Sequence, residues 1–259
     1  MVRGDGIQDS AGQPAGRPVM LQTWRSLLFL HWPVSAKSLR PLLPTDLELD
    51  TFHENAWIGL VPFTMTGIRH PLLPALPGLN AMHELNVRTY VRHGDRRGVW
   101  FLSLDAAHAL MVQVARSVYH LPYYRARMDL SQAGSRIFYR SKRVHRNAAA
   151  AEFEAEWEIG DSLPRSAPGS LEHFLTERYA LFSAHGGKML QARIHHQPWP
   201  LCSADLHRFR SSMLESHGIT APAQQPLLHC AAELKVRIWP LRSIGRLKDP
   251  RDWKTGCPV

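Results

Sequence analysis

An alternation of polar and apolar side chains over Glu84-Leu-Asn-Val-Arg-Thr-Tyr-Val91 constrains the fold of this chain most strongly. Successive side chains of a β-strand point to opposite faces, so Glu84, Asn86 and Arg88 share one face and the apolar residues between them share the other. An acid, an amide and a guanidinium are costly to bury unless each has a partner. This polar face therefore lines either solvent or a polar pocket, and both alternatives are open.

The surrounding sequence predicts a strand-rich domain with few helices. Gly98-Val-Trp-Phe-Leu-Ser-Leu-Asp105 has the composition of a second strand, and the polar connection with two glycines before it favours a hairpin. The clearest helix follows, because Leu110, Val114 and Val118 recur at helical spacing. The pattern predicts one β-rich domain with a few short helices.

The chain shows no internal repeat and no linker that divides its centre. We therefore predict a single domain over residues 21–244. A flexible N-terminal tail is expected over residues 1–20 and a loose C-terminal tail over residues 245–259, because both segments carry little apolar sequence.

The composition excludes several classes of protein. No apolar run approaches the ~20 residues that cross a bilayer, and the N-terminal sequence lacks the apolar segment of a signal peptide. No membrane partner is predicted, and we expect a cytoplasmic protein. The cysteines Cys202, Cys230 and Cys257 have no paired spacing, which indicates reduced thiols and argues against a structural zinc site.

The net charge of +9 raises the question of nucleic-acid binding. The densest basic cluster lies on strand-like sequence without a helix-turn-helix, finger or RNP-type signature nearby, and comprises Arg136, Arg140, Lys142, Arg143 and Arg146. A solvated basic face is favoured over a site for an anionic ligand. A nucleic-acid partner is the weakest of the three interpretations.

Many separated motifs resemble one family in the same order. They are Phe29-Leu-His-Trp, Asp50-Thr-Phe, Trp57-Ile-Gly-Leu-Val-Pro-Phe, Glu84-Leu-Asn-Val-Arg-Thr-Tyr-Val, Trp100-Phe-Leu-Ser-Leu-Asp-Ala, Ala115-Arg, Leu121-Pro-Tyr-Tyr-Arg-Ala-Arg-Met, Phe174-Leu-Thr-Glu-Arg-Tyr and His195-His-Gln-Pro-Trp-Pro-Leu. From about Trp24 to Trp239, the chain resembles the YqjF-like family of uncharacterised bacterial proteins, in the acetoacetate decarboxylase-like superfamily.

The resemblance implies an α+β fold, namely a β-rich acetoacetate decarboxylase-like barrel with a few short helices and an internal pocket. In the decarboxylase, one lysine of an adjacent pair forms a Schiff base. The similar stretch here is His120-Leu-Pro-Tyr-Tyr-Arg, so Tyr123 and Tyr124 stand where that pair would be. A tyrosine cannot form an imine, and the resemblance therefore does not extend to Schiff-base chemistry. The pocket glutamate of the superfamily is similar in position to Glu84.

The candidate catalytic residues are Glu84, Arg88 and Tyr123. Arg88 would offer a forked donor to a carboxylate, Glu84 would act as a base or orient the ligand, and Tyr123 would donate a hydrogen bond. The alternative is a structural Glu–Arg pair that bridges strands.

Asn86, Arg116 and His195 are the candidate ligand-binding residues. A metal site is not predicted, because His195 and His196 would face opposite ways on a strand and no third ligand has suitable spacing.

Two functions remain open at this point. One is a barrel pocket that binds, and in one variant also transforms, a small anionic or carbonyl-bearing metabolite without a Schiff-base lysine and without a cofactor. The other is a non-enzymatic structural or interaction module whose polar strand residues only hold the fold. A homo-oligomer is compatible with both.

Overall fold

The computed structural model describes residues 12–75, 78 and 80–249. The strands of this part of the chain are β1 (Met20–Val34), β2 (Glu48–Leu49), β3 (Ala56–Arg69), β4 (Ala81–His93), β5 (Arg96–Ala106), β6 (Tyr123–Ala133), β7 (Arg136–Arg143), β8 (Glu152–Ser162), β9 (Ala180–His185), β10 (Lys188–His196), β11 (Cys202–Ser211), β12 (Leu227–Ile238) and β13 (Arg242–Arg246). The helices are α1 (Ala36–Leu39), α2 (Ala109–Tyr119) and α3 (Leu171–Thr176), with short 3-10 turns at Arg40–Leu42 and Glu215–His217. The predicted strand-rich α+β fold is confirmed.

The strands form one continuous sheet that closes on itself twice. Its order is β13-β10-β9-β5-β6-β7-β8-β11-β12-β1-β3-β4-β2, with additional pairings of β10 with β12 and of β5 with β4. These pairings close one ring through β9 and β10 and another through β6, β7, β8 and β11. Strands β1, β3, β4, β5 and β12 belong to both rings.

The strands β1, β3 and β4 separate two hydrophobic cores. Leu28 and Leu85 belong to the first core, together with Trp157 from β8. Phe29 and Tyr90 belong to the second core, together with residues of β6, β9 and β10. Because side chains alternate along a strand, each of these strands supplies apolar residues to both cores.

The hairpin between β4 and β5 forms where it was predicted. Gly94 adopts a φ of 59°, a left-handed conformation that glycine accepts without strain. The β4–β5 register then places Asn86 opposite Leu104. Leu104 in turn pairs with Tyr123 on the parallel neighbour β6, so the side chains of these three residues share one face of the sheet.

Helix α2 confirms the predicted helix, but its apolar row faces outwards. Leu110, Val114 and Val118 are 54%, 46% and 55% exposed. Val112 is the buried residue of the helix and packs in the second core. The spacing therefore predicted the helix correctly without identifying its buried face.

The basic cluster of the sequence is largely neutralised by strand β8. Arg136 pairs with Glu156 at 2.6 Å, Arg140 with Glu154 at 3.5 Å and Lys142 with Glu152 at 2.6 Å across the β7–β8 register. The alternate residue Arg143 points inwards and binds Asp105 at 2.6 Å. This outer face is an ion-pair ladder, which shields most of the positive charge.

Parts of both predicted tails lie outside the described residues, namely 1–11 and 250–259. Strand β13 continues to Arg246, two residues beyond the predicted end of the domain. At the other end, the backbone oxygen of Gly16 accepts a hydrogen bond from Trp239 Nε1 at 3.2 Å. The division into a domain and two tails stays a prediction.

Within the described part of the chain, every helix is too short or too polar to cross a bilayer.

Candidate functional site

The polar face of β4 lies inside the protein. Glu84, Asn86 and Arg88 are only 3%, 4% and 8% exposed. They share the face of β4 that carries Tyr90 into the second core. The alternative in which these residues face solvent is therefore wrong.

Glu84 is held by hydrogen bonds from neighbouring strands. The Tyr123 hydroxyl donates to Glu84 Oε2 at 2.7 Å, an arrangement made possible by the position of β6 beside β5. The Asn86 side chain also hydrogen-bonds the Glu84 carboxyl group. Below the carboxyl group, the Tyr139 hydroxyl donates to the Glu84 backbone oxygen at 2.9 Å. The carboxyl group is thus oriented, and no basic side chain of the described residues forms an ion pair with it.

Burial shifts the pKa values of Glu84 and Tyr123. Loss of solvent raises the pKa of Glu84 to about 7, although the hydrogen bonds from Tyr123 and Asn86 act in the opposite direction. Burial, together with the nearby Glu84 carboxylate, raises the pKa of Tyr123 well above its ordinary value. Glu84 can therefore both hold and release a proton near neutral pH, while Tyr123 remains a hydrogen-bond donor.

Arg88 is a buried cation whose contacts within the described structure are a backbone oxygen and aromatic rings. Its Nη2 donates to the backbone oxygen of Leu175 at 3.3 Å, and its Cζ lies 5.2 Å from the centre of the Phe29 ring. Among the described residues, no acidic side chain forms an ion pair with Arg88. The predicted alternative of a Glu84–Arg88 pair that bridges strands is therefore not formed.

Two histidines and a tyrosine complete the surroundings of Arg88. The Tyr90 hydroxyl lies 2.6 Å from His31 Nε2 and donates to the Leu175 backbone oxygen at 2.9 Å. His229 is opposite Phe29 in the β1–β12 register and so shares its face. Burial lowers the pKa of His31 and of His229, and the charge of Arg88 lowers that of His31 further. Both rings are neutral at neutral pH.

Several polar atoms of this region have no hydrogen-bond partner within the described structure. We name the group the interior polar cluster, and its members are His31, Glu84, Asn86, Arg88, Tyr123 and His229. The unpartnered buried atoms are Asn86 Oδ1, Arg88 Nε, His31 Nδ1 and His229 Nδ1. An unpaired buried polar group costs about 1–3 kcal/mol, so four in one cluster are a substantial cost that a polar ligand would remove.

The sequence did not identify His31, Tyr90 or His229 as site residues. A signal was present for the histidines, since each interrupts an apolar stretch, Leu27–Trp32 or Leu227–Ala232. A histidine in such a stretch is more often a satisfied core residue than a ligand-binding one. Only the strand pairing brings the two together.

Arg116 and His195 lie outside the cluster. Arg116, on α2, donates to the Tyr123 backbone oxygen at 3.1 Å and so helps to hold the backbone of Tyr123 in position. His195 is half-buried on the opposite face of β10 from His196, with its ring 6.5 Å from that of Trp239. The buried member of the pair is His196, which stacks on Tyr179 at 4.7 Å. The ligand-binding roles of Arg116 and His195 stay predictions.

A second buried charged group differs from the interior polar cluster because its ions are paired. Asp105 accepts three hydrogen bonds from Arg143, at 2.6, 3.0 and 3.1 Å, and the side chains of Asp105 and Arg143 are 0% and 3% exposed. Burial raises the pKa of Asp105 although Arg143 opposes the shift. Beside them, His217 Nε2 lies 3.0 Å from Ser103 Oγ, and burial lowers the pKa of His217 to about 4. Because the Asp105–Arg143 ion pair joins β5 to β7, this group has the geometry of a structural ion pair between strands.

The lysines of the described chain are on the surface. All are exposed, and they are Lys37, Lys142, Lys188, Lys235 and Lys248.

Comparisons with known proteins agree with this architecture. The DUF2071 family, described as an uncharacterized conserved protein, matches residues 21–235. The chain is 43% identical over 240 residues to the uncharacterized protein YqjF of Bacillus subtilis (strain 168), an alignment that covers 91% of this chain and 96% of YqjF.

Solved structures with low sequence identity share the fold. The enduracididine biosynthesis enzyme MppR complexed with pyruvate is 14% identical, with a TM-score of 0.64 over 89% of this chain and 92% of that one. An acetoacetate decarboxylase-like enzyme from Sphingomonas wittichii RW1 is 12% identical, with a TM-score of 0.61 over 90% and 95% of the two chains. Acetoacetate decarboxylase from Legionella pneumophila is 11% identical, with a TM-score of 0.59 over 95% and 98%. At these identities the likeness establishes the fold alone.

Proposed function

We propose that this chain, which belongs to the DUF2071 family of uncharacterized conserved proteins, binds a small carbonyl-bearing carboxylate in the interior polar cluster. The observation that carries the proposal is the buried guanidinium of Arg88, which has no counter-ion among the described residues. A buried charge left unpaired costs several kcal/mol. A ligand carboxylate would supply the missing charge and a bidentate partner.

The spacing of the cluster favours a small metabolite. Glu84 and Arg88 are four residues apart on one strand, so their Cα atoms are about 13 Å apart along the strand. Both side chains reach inwards, and Asn86 lies between them with its Oδ1 unpartnered. A ligand carboxylate at Arg88 would therefore direct an adjacent carbonyl group along the strand, towards Asn86 and the Glu84–Tyr123 pair.

The Glu84–Tyr123 pair supports proton transfer next to that carbonyl. A carboxyl group with a pKa of about 7 is an efficient acid or base at neutral pH. The Tyr123 hydroxyl would stabilise negative charge that develops on the carbonyl oxygen. The proposed function is binding of the metabolite. Proton transfer by the Glu84–Tyr123 pair would in addition allow the protein to transform it.

The proposed chemistry involves no Schiff base. Tyr123 and Tyr124 occupy the stretch similar to the lysine pair of the decarboxylase, and the described lysines are exposed. The structure of MppR in complex with pyruvate supports the ligand class, because pyruvate is a carboxylate with an adjacent carbonyl group.

The first experiment is a thermal-shift titration with pyruvate and a panel of other 2-oxo acids. A ligand that binds only the native state raises Tm with the logarithm of its concentration. Arg88→Met should abolish the shift. Arg92→Met is the matched control, since Arg92 is on the same strand but exposed and paired with Glu48.

Arg88→Met also separates the proposal from a purely structural role. Removal of an uncompensated buried charge should leave the ligand-free protein as stable as before or raise its stability by about 1–3 kcal/mol. A loss of stability in Arg88→Met, with no Tm shift by any 2-oxo acid in the wild type, would favour the non-enzymatic module instead.

Borohydride reduction tests the absence of an imine. Incubation with pyruvate and sodium borohydride should leave the intact mass unchanged, whereas acetoacetate decarboxylase serves as the positive control. A stable mass increase in this protein would show that a lysine reacts.

Localisation and assembly complete the proposal. We place the protein in the cytoplasm, and sedimentation will decide between a monomer and a homo-oligomer.

A further inference from the structure

A second cleft, separate from the interior polar cluster, is lined by arginines. It has a volume of about 700 Å³, within the range of small-molecule sites. We name it the arginine cleft, after the lining residues Arg96, Arg97, Arg178, Arg193 and Arg242. It lies where the β4–β5 turn, the start of β9 and strands β10 and β13 meet.

Two acidic side chains near the cleft, Asp50 and Glu177, already have hydrogen-bond partners in the protein. Asp50 accepts from Arg178 at 2.6 Å and lies 3.6 Å from Arg97. Glu177, which lines the cleft, accepts hydrogen bonds from the Tyr179 hydroxyl and from the Trp199 backbone N–H, the latter at 2.9 Å. Asp95 is the other acid of the lining. Five guanidinium groups therefore stand against three carboxylates, those of Asp50, Asp95 and Glu177, and the cleft carries an excess of positive charge.

Arg178 lines this cleft and keeps one donor unsatisfied. Its side chain is 5% exposed, its Nη1 binds Asp50 and its Nε donates to the Phe174 backbone oxygen at 2.6 Å. Its buried Nη2 has no hydrogen-bond partner in the described structure. Arg96 and Arg242, at the solvent side, form no ion pair with any described residue.

We propose that the arginine cleft is a second binding site, which takes a small anion carrying two or more negative charges. Guanidinium groups present paired donors that match phosphate and carboxylate oxygens. A cleft lined by one sign of charge also concentrates ions of the other sign. The excess of arginines favours a di- or triphosphate or a polycarboxylate over a monovalent acid.

Tyr90 separates this site from the interior polar cluster. The Arg178 guanidinium carbon lies 5.0 Å from the centre of the Tyr90 ring. The hydroxyl of the same tyrosine reaches His31 in the interior. The two sites are therefore neighbours that use different arginines. A substitution of arginines in one site leaves the charge of the other site unchanged.

Isothermal titration with inorganic pyrophosphate and with citrate tests the proposal. The double variant Arg96→Gln/Arg242→Gln should weaken binding at least tenfold, and both positions are exposed, so folding should be preserved. Arg140→Gln is the control for loss of an arginine outside the cleft, because Arg140 is 56% exposed and belongs to the ion-pair ladder. Its affinity should stay within twofold of the wild type.

The outcomes are distinguishable from those of the proposed function. Arg88→Met should leave pyrophosphate and citrate binding unchanged, whatever it does to 2-oxo acids. Preference for pyrophosphate would assign the site to phosphorylated ligands, and preference for citrate to polycarboxylates. The proposal is overturned if neither anion binds saturably, if Arg140→Gln weakens binding as much as the double variant, or if Arg88→Met alone abolishes it.

Discussion

The carboxyl group of Glu84 changes its charge within the neutral range of pH, because burial raises its pKa from 4.5 to about 7. Between these two values the folded state binds more protons than the unfolded state, so the free energy of unfolding falls as pH rises. A difference of this size corresponds to about 3 kcal/mol. At pH values above the folded-state pKa, the ionised Glu84 lowers the free energy of unfolding by this full amount.

We expect Glu84→Gln to remove this pH dependence. The free energy of unfolding of Glu84→Gln, relative to the wild type, should increase by about 2–3 kcal/mol between pH 5 and pH 8. Urea unfolding across this range measures it, and Glu152→Gln, at an exposed position, is the control. His31 and His229 destabilise the protein as pH falls below their unfolded-state pKa, but this effect cancels in the difference. Parallel stability curves for wild type and Glu84→Gln would contradict the assignment.

Gly59 leaves space for the imidazole of His31. A Cβ at this position would lie 2.8 Å from His31 Cδ2 and 3.0 Å from Nε2. We expect Gly59→Ala to displace the ring from Tyr90 and to destabilise the protein by about 1–3 kcal/mol. Urea unfolding gives the cost, and the Tm shift by 2-oxo acids should diminish in the same variant.

Gly245→Ala is the matched control, because it is also a strand glycine and a Cβ there would meet nothing within 4 Å. Equal stability losses in the two variants would indicate a general glycine effect.

At the scale of elements, α2 is a helix whose apolar spacing does not mark its buried face. We expect glutamine at Leu110, Val114 or Val118 to change the free energy of unfolding by less than about 0.5 kcal/mol each, since the side chains are exposed. Val112→Ala should cost about 1–3 kcal/mol, because that residue is buried. Thermal or urea unfolding of the four variants tests the orientation, and a reversed ranking would contradict it.

Strand β4 could be predicted in detail, and β1 could not. In β4 one face is polar, so the alternation was visible and placed Glu84, Asn86 and Arg88 together. In β1 both faces are buried, and Leu27–Trp32 is a nearly continuous apolar run from which no face can be inferred. His31 was therefore missed.

Long-range pairing accounts for the rest of the unpredicted site. His229 reaches Phe29 only through the β1–β12 register, across some two hundred residues of sequence. The position of Tyr123 beside Glu84 requires the parallel β5–β6 pair, and it was anticipated through the family resemblance and not through local pattern. Periodicity is a local property, whereas the cluster is assembled from four separate strands, β1, β4, β6 and β12, and their register.

At the scale of the whole molecule, the net charge is +9, and several of the basic side chains that the structure describes are paired with acids. Strand β8 contributes glutamates that pair with Arg136, Arg140 and Lys142, and Arg208 of β11 contacts Glu154 from the other side. We expect fluorescence anisotropy with a labelled duplex to show no binding tighter than about 1 μM at 150 mM salt, because affinity for DNA depends on unpaired cations. A nanomolar complex at that salt would contradict this expectation.

The three strands that separate the two cores, β1, β3 and β4, also determine when the two rings of the sheet can close during synthesis. Leu30 pairs with Leu228, so β1 must wait for β12 to leave the ribosome before either ring can close. At ordinary translation speeds that wait is roughly 10–40 s. During it, one edge of an apolar strand is unpaired, and such an edge is a template for wrong pairing. We therefore expect chains that end before β12 to aggregate more readily than the full chain.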